Sequence, residues 1–305
     1  MRDRILLLSL LCFAIAFWAN AEKLSLDPIS PPNPVIYDPF SGNDTIGQSF
    51  TFTVRMDKST GTTSNFSVVI NGESSPSSRS LKSSSGSIEI GFYKDSSHTT
   101  EIRSTADYSP SYYISGSFDP KTDVLTQTFT IYPRLVKGQS APYGTYTETF
   151  TLVLYKKSTP GQGSPEDTLS FTYTAEVGKA VDVRVGPPNA SYDTGMNSYN
   201  IDLGEISKGA SANFGIFIKG TTGYTLTMHT ASGGFLTSSN SSDKIQYTIV
   251  VDGKEYYLNS SVILDRETVN CLYSKALLGT VKIAADQNAE PGIYSDAVSF
   301  SVTVN

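Results

Sequence analysis

The sequence predicts an all-β protein built as two tandem β-sandwiches, and three observations predict it. Short runs in which apolar and polar residues alternate recur along most of the 305 residues, the period-two pattern of strands with one buried face. Sustained helical periodicity is missing, and only Val262 to Leu278 has room for a turn or two of helix. Finally, one signal occurs twice: Pro142-Tyr143-Gly144-Thr145-Tyr146 and Pro291-Gly292-Ile293-Tyr294 each feed an alternating strand. Repetition of a turn-plus-strand unit points to two related domains.

In the first half the apolar face is carried by Phe50, Phe52 and Val54, then by Phe66, Val68 and Ile70. Ile88, Ile90 and Phe92 follow, then Leu125, Phe129 and Ile131. Turn formers separate these runs: Asn71-Gly72, Ser83 to Gly86 and Asp119-Pro120. Phe150 to Leu154 and Leu169 to Tyr173 close this half. The segment Lys156 to Asp167 reads as a hairpin loop, although its proline- and glycine-rich composition would equally suit a linker. Short strands at such intervals make a sandwich, because each offers one apolar face to a facing sheet.

The second half repeats this grammar. Val181, Val183 and Val185 alternate, and Ile201 with Leu203 reads as a further strand. Phe214, Ile216 and Ile218 follow, then Tyr224, Leu226 and Met228, then Ile245, Tyr247, Ile249 and Val251. Asp252-Gly253 is a two-residue hairpin turn, since both positions favour positive φ. The last strand carries Val298, Phe300, Val302 and Val304 on one face. Such an apolar strand flush with the terminus is expected to have a definite partner. The boundary falls near Gly178, giving domains 22–178 and 179–305.

Residues 1–21 read as a signal peptide. Arg2 and Arg4 precede an apolar run from Ile5 to Trp18, and Ala19-Asn20-Ala21 fits a small-x-small cleavage site. The run is shorter than the roughly 20 residues of a membrane-spanning helix, so the mature chain is expected to start at Glu22 and to be exported and soluble. Cys12 leaves with the signal, and Cys271 has no partner in the mature chain. It reads as a buried apolar thiol, the lesser reading being an intermolecular bridge or a reactive thiol. A net charge of −6, with charged residues only 17% of the chain, argues against nucleic acid as a partner.

Several segments resemble the spore coat protein U domain family: Tyr37-Asp38-Pro39-Phe40, Gly223-Tyr224-Thr225-Leu226, Ser232 to Leu236, Tyr247 to Gly253 and Pro291 to Asp296. The likeness runs over most of the second half, and in the first half chiefly over its opening and closing strands. Most relatives are subunits of archaic chaperone–usher pili of Gram-negative bacteria. The resemblance implies immunoglobulin-like sandwiches, the C-terminal one incomplete and completed by a donated strand. It implies as partners a periplasmic pilus chaperone, an outer-membrane usher and an adjacent pilin subunit, with export through the periplasm to a surface pilus. The groove for the donor would lie along Val298, Phe300, Val302 and Val304. Two domains in one subunit resemble a tip adhesin, which binds a surface or receptor. A donor strand near the mature start is disfavoured by Pro28, Pro31, Pro32 and Pro34, so Leu24 and Leu26 are expected to pair within the first domain.

Catalysis finds little support. His98 sits in a polar run and His229 at a strand end, and the chain carries no nucleophile elbow, metal-ligand spacing or phosphate loop. A non-enzyme without cofactor or metal is expected. The cluster Tyr108, Tyr112 and Tyr113 on a proline-stiffened loop is the best contact surface, unless one or two of these rings pack inward as strand residues. Tyr143 is a weaker candidate. The alternative to a pilus subunit is a self-contained secreted sandwich that binds carbohydrate or matrix. An accessory domain of an exported hydrolase is a third reading.

Overall fold

The computed structural model describes residues 23–57, 63–72, 79–106, 109–119 and 125–305; the predicted signal peptide, Cys12 and Tyr108 lie outside them. Two hydrophobic cores form, one from residues between Leu24 and Val177 and one from residues between Val181 and Phe300, Val302 included.

The first core lies between two layers of one continuous sheet. Leu24–Asp27, Phe50–Met56, Thr126–Leu135 and Gly86–Tyr93 pair in that order on one side. Ile114–Phe118, Ser64–Gly72, Gly144–Tyr155, Asp167–Val177 and Val35–Ile36 pair on the other. The hairpin of Ser80–Ser83 with Gly86–Tyr93 joins the layers, touching Gly144–Tyr155 at Lys82 and Thr147. Phe50, Phe92, Phe150 and Phe171 meet between them, with Phe92 edge-on to Phe150 at 4.9 Å. Gly144–Tyr155 and Asp167–Val177 pair from Gly144↔Val177 to Leu154↔Asp167, so the segment between them is a hairpin loop. Leu24–Asp27 is antiparallel to Phe50–Met56, with both leucines buried. Its amides at Leu24 and Leu26 donate to the Glu166 and Asp167 carboxylates, which satisfies that edge.

The second core lies between separate sheets. One runs Val181–Gly186, Ala210–Gly220, Tyr273–Ile283, Lys244–Val251 and Phe235–Thr237, with Lys254–Tyr256 on Lys244–Val251. The other is Val262–Glu267, Tyr224–Thr230 and Val298–Val304. Asp252 and Gly253 have φ of 46° and 83°, the left-handed pair that a tight hairpin needs.

Three expectations are corrected by the structure. Val262 to Leu278 is not helical: Val262–Glu267 and Tyr273–Ile283 are strands, drawn into sheets by neighbours that supply the hydrogen bonds. Ile201 and Leu203 alternate as expected and pack against the second core, but they form no strand because no ladder partner lies beside them. Cys271 is half-buried in a turn rather than enclosed.

The repeated turn has a physical basis. Tyr146 Oη donates to the Pro142 carbonyl at 2.8 Å, and Tyr294 Oη to that of Glu290 at 2.8 Å. Each phenol thus ties the start of its strand to the backbone four residues upstream, the tyrosine corner of immunoglobulin-like sandwiches. Tyr273 Oη makes the same bond to the Val269 carbonyl, so the pairing is what marks Gly144–Tyr155 and Val298–Val304 as counterparts. Each pairs with the strand expected of that position, Ser64–Gly72 and Tyr224–Thr230 respectively.

Candidate functional site: an unpaired edge over an apolar cavity

The two counterpart strands differ on their other edge. Gly144–Tyr155 is paired along its length by Asp167–Val177, whose Phe171, Tyr173, Ala175 and Val177 are buried. Val298–Val304 has no ladder partner on that side among the described residues. It lies beside Val181–Gly186, the edge of the other sheet, with no strand pairing between them.

The two edges meet at one end and part at the other. Lys179 Nζ donates to the Asn305 carbonyl at 2.9 Å where they meet. Where they part they open a cavity of about 700 Å³ lined by Val183, Val185, Leu203, Phe214, Val298 and Phe300, among others. The Phe214 and Phe300 rings stand 5.9 Å apart across the wall. Tyr247 also lines the cavity, and its hydroxyl donates to Asp296 Oδ2 at 2.7 Å. Burial and that carboxylate push the Tyr247 phenol well above its ordinary range, so it stays neutral, and Asp296 is the one acidic side chain in the cavity lining. Backbone N–H and C=O groups along an unpaired edge, above apolar side chains that are only half-buried, describe a slot for an extended chain.

The expected groove residues divide. Val298 and Phe300 line the cavity, and Val302 packs half-buried against the core nearer the closed end. Val304 is 45% exposed at the strand's end, outside the cavity lining. Val183, Val185 and Leu203, on the opposite wall, are groove residues that reading the last strand alone misses. Their signal was the alternation of Val181, Val183 and Val185.

The tyrosine loop also divides. Pro110–Tyr112 is a 3-10 turn. Tyr112 is half-buried with the Arg103 guanidinium over its ring at 3.7 Å. Tyr113 is 6% exposed and packs with Val69, Val153 and Tyr155, so the reading of Tyr113 as a contact residue is corrected: its ring points inward. Tyr143, 38% exposed, lies where the two halves touch, its amide donating to the Thr221 carbonyl at 2.7 Å. His98 is held edge-on between Tyr93 and Tyr132, and His229 Nδ1 lies 3.4 Å from Ser261 Oγ. Among the described residues no three His, Cys, Asp or Glu side chains converge as metal ligands.

Residues 36–153 match the family model of the Spore Coat Protein U domain. The match lies on the first sandwich, whereas the sequence resemblance was drawn chiefly on the second. No curated protein matches the chain. By structure it is similar to the CsuC-CsuE chaperone–tip adhesion subunit pre-assembly complex of archaic chaperone-usher Csu pili of Acinetobacter baumannii. That similarity has 14% identity and a TM-score of 0.45, over 90% of this chain and 99% of that one. It is also similar to the CupB6 tip adhesin of Pseudomonas aeruginosa, at 12% identity and a TM-score of 0.38, over 92% of this chain and 94% of that one. A third similarity is to CfaE, the adhesive subunit of CFA/I fimbria of enterotoxigenic Escherichia coli, at 10% identity and a TM-score of 0.32, over 93% and 81%. Over residues 36–153, then, this all-β chain is similar to the Spore Coat Protein U domain.

Proposed function

We propose that this chain is an exported pilus subunit whose second sandwich is completed by a strand from a partner. During secretion the donor is a periplasmic chaperone; at an outer-membrane usher it gives way to an adjacent subunit. One observation carries the reading: the edge that Asp167–Val177 fills in the first sandwich is unpaired among the described residues at its counterpart, Val298–Val304, and opens onto a cavity walled by Val183, Val185, Phe214 and Phe300 and rimmed by polar residues. An extended segment with apolar residues at every second position would pair with the edge and fill the cavity with one face. Co-expression with a cognate pilus chaperone is expected to yield a soluble one-to-one complex. Recovery of the same soluble monomer with and without chaperone would instead favour a self-contained binding sandwich.

The tip of the fibre is the position this reading favours, because the strand Leu24–Asp27 already serves the chain's own first sheet. The first sandwich is then the adhesive one. Tyr112→Ser is expected to reduce attachment of cells to surfaces with fibre number unchanged. Tyr113→Ser is expected instead to destabilise the first sandwich by about 3 kcal/mol, the loss of a buried aromatic, read as a lower melting temperature. Equal attachment by wild type and Tyr112→Ser would remove this loop from the adhesive surface.

The two sandwiches are proposed to fold as separate units, 22–178 and 179–305, on the strength of their separate cores. Gly178, Lys179 and Ala180 are exposed and lie between strands. Trypsin is expected to cut after Lys179 before it cuts within either core, releasing two protected fragments. A single protected species would count against that division.

A further inference from the structure

The first sandwich holds a second cavity, of about 690 Å³, between the end of Gly86–Tyr93 and the segment that follows it. Its lining carries more charge than that of the groove, with Arg79, Arg103, Glu89 and Glu101 beside Ser80 and Ser104. Arg79 is the unusual member. Its side chain is 9% exposed. Nη2 donates to the Ile70 carbonyl at 2.9 Å, while Nη1 is fully buried and has no hydrogen-bond partner among the described residues. The nearest carboxylate oxygen, Glu101 Oε1, stands 3.7 Å from Nη1, too far for a hydrogen bond. Burial lowers the Arg79 pKa to about 10, with Glu101 opposing, so the guanidinium is still charged at neutral pH.

A buried guanidinium nitrogen without an acceptor is costly, and structures that keep one have a reason for it. The surroundings are built to hold the cavity open. Arg103 is fixed by its stack on Tyr112 and by Nε, which reaches Glu101 Oε2 at 3.3 Å. The Tyr93 ring lies over the bare backbone of Gly91, where an added Cβ would come within 2.7 Å of it. Arg134 donates to the Tyr93 hydroxyl at 2.6 Å and keeps that ring in place.

We infer that this cavity binds a carboxylate-bearing sugar, with the acid group taken by Arg79 and Arg103 and the hydroxyls by the flanking carboxylates and serines. The planar guanidinium fork suits a carboxylate. A lone anion would leave most of the volume empty, and the cavity falls within the range of small-ligand sites. Glu89 and Glu101 supply acceptors that repel a bare anion but receive hydroxyl donors. A sugar acid offers both groups on one molecule. The inference does not depend on strand donation, since the cavity lies wholly in the first sandwich.

The test is saturation-transfer NMR on the purified full chain with glucuronic acid, glucose and inorganic sulfate as separate probes. Glucuronic acid is expected to bind at least tenfold more tightly than glucose, with sulfate a poor competitor. Arg79→Met and Arg103→Gln should each weaken glucuronic acid at least tenfold, and Arg55→Gln, at the exposed Asp27 pair, should leave it unchanged. Arg103 is 42% exposed, so Arg103→Gln keeps the test decisive if Arg79→Met fails to fold. Equal binding of glucose and glucuronic acid, competition by sulfate alone, no binding of any probe, or full binding by Arg103→Gln would each overturn the assignment.

Discussion

Replacing Phe300 with aspartate is expected to remove this protein from any chaperone complex and from the cell surface. In the open groove the Phe300 ring is only half-buried, 5.9 Å from Phe214 and level with Val298 at the cavity wall. A carboxylate there meets water while the groove is empty, so the free chain loses little beyond the ring's own contacts. Once a donor strand arrives, the same carboxylate is enclosed among Val183, Val185 and Leu203 with no cation beside it. An uncompensated buried charge costs about 3–5 kcal/mol, equivalent to a loss of about 100-fold or more in affinity for the donor. Pull-down by the tagged chaperone is expected to fall by that factor. Val304→Asp is the control: Val304 is exposed beyond the cavity, and its replacement should change capture by less than about 1 kcal/mol. Equal capture of Phe300→Asp and Val304→Asp would mean that the cavity is not where the donor binds.

That contrast also marks how far the sequence could be read. Alternation placed Val298, Phe300, Val302 and Val304 on one face, and they do share it. Which of them line a cavity depends on where the opposite edge diverges, and the two edges meet at Lys179 and Asn305, residues 126 apart in the chain. No local pattern encodes it. The tyrosine corners were legible because the turn and its phenol are neighbours in sequence. Ile201 and Leu203 misled for the converse reason: alternation reports a buried face, but a strand also needs a partner for its backbone. Val262 to Leu278 was ambiguous because short apolar runs fit either period until a neighbouring strand selects one. Tyr113 points inward because Val69, Val153 and Tyr155, all some 40 residues away in sequence, form a small satellite core for it. The Arg79 cavity left no trace in the sequence, since its members come from polar stretches with no common motif.

The largest expected effect is repair of the second sandwich in cis. A donor segment with apolar residues at alternate positions, fused after Asn305 through a flexible glycine-serine linker, should pair with Val298–Val304 and fill the cavity. Its own buried side chains are worth about 1.5–3 kcal/mol each, and the half-buried Val183, Val185, Val298 and Phe300 would gain about half as much each by losing their remaining exposure. Ordering the segment costs about 2–5 kcal/mol, less than the burial contributes, so the fusion is stabilised on balance. Each kcal/mol raises the melting temperature of a domain of this size by about 3–5 °C, so the rise should be several degrees or more, a large change beside the marginal stability of ordinary domains. The phase of the donor is the internal control. Shifting its apolar positions by one residue turns polar side chains into the groove, and that fusion should melt like the unfused chain. Equal melting of all three proteins, each soluble and monomeric, would show the second sandwich to be complete without a donor. The secreted carbohydrate- or matrix-binding reading would then take the place of the pilus one.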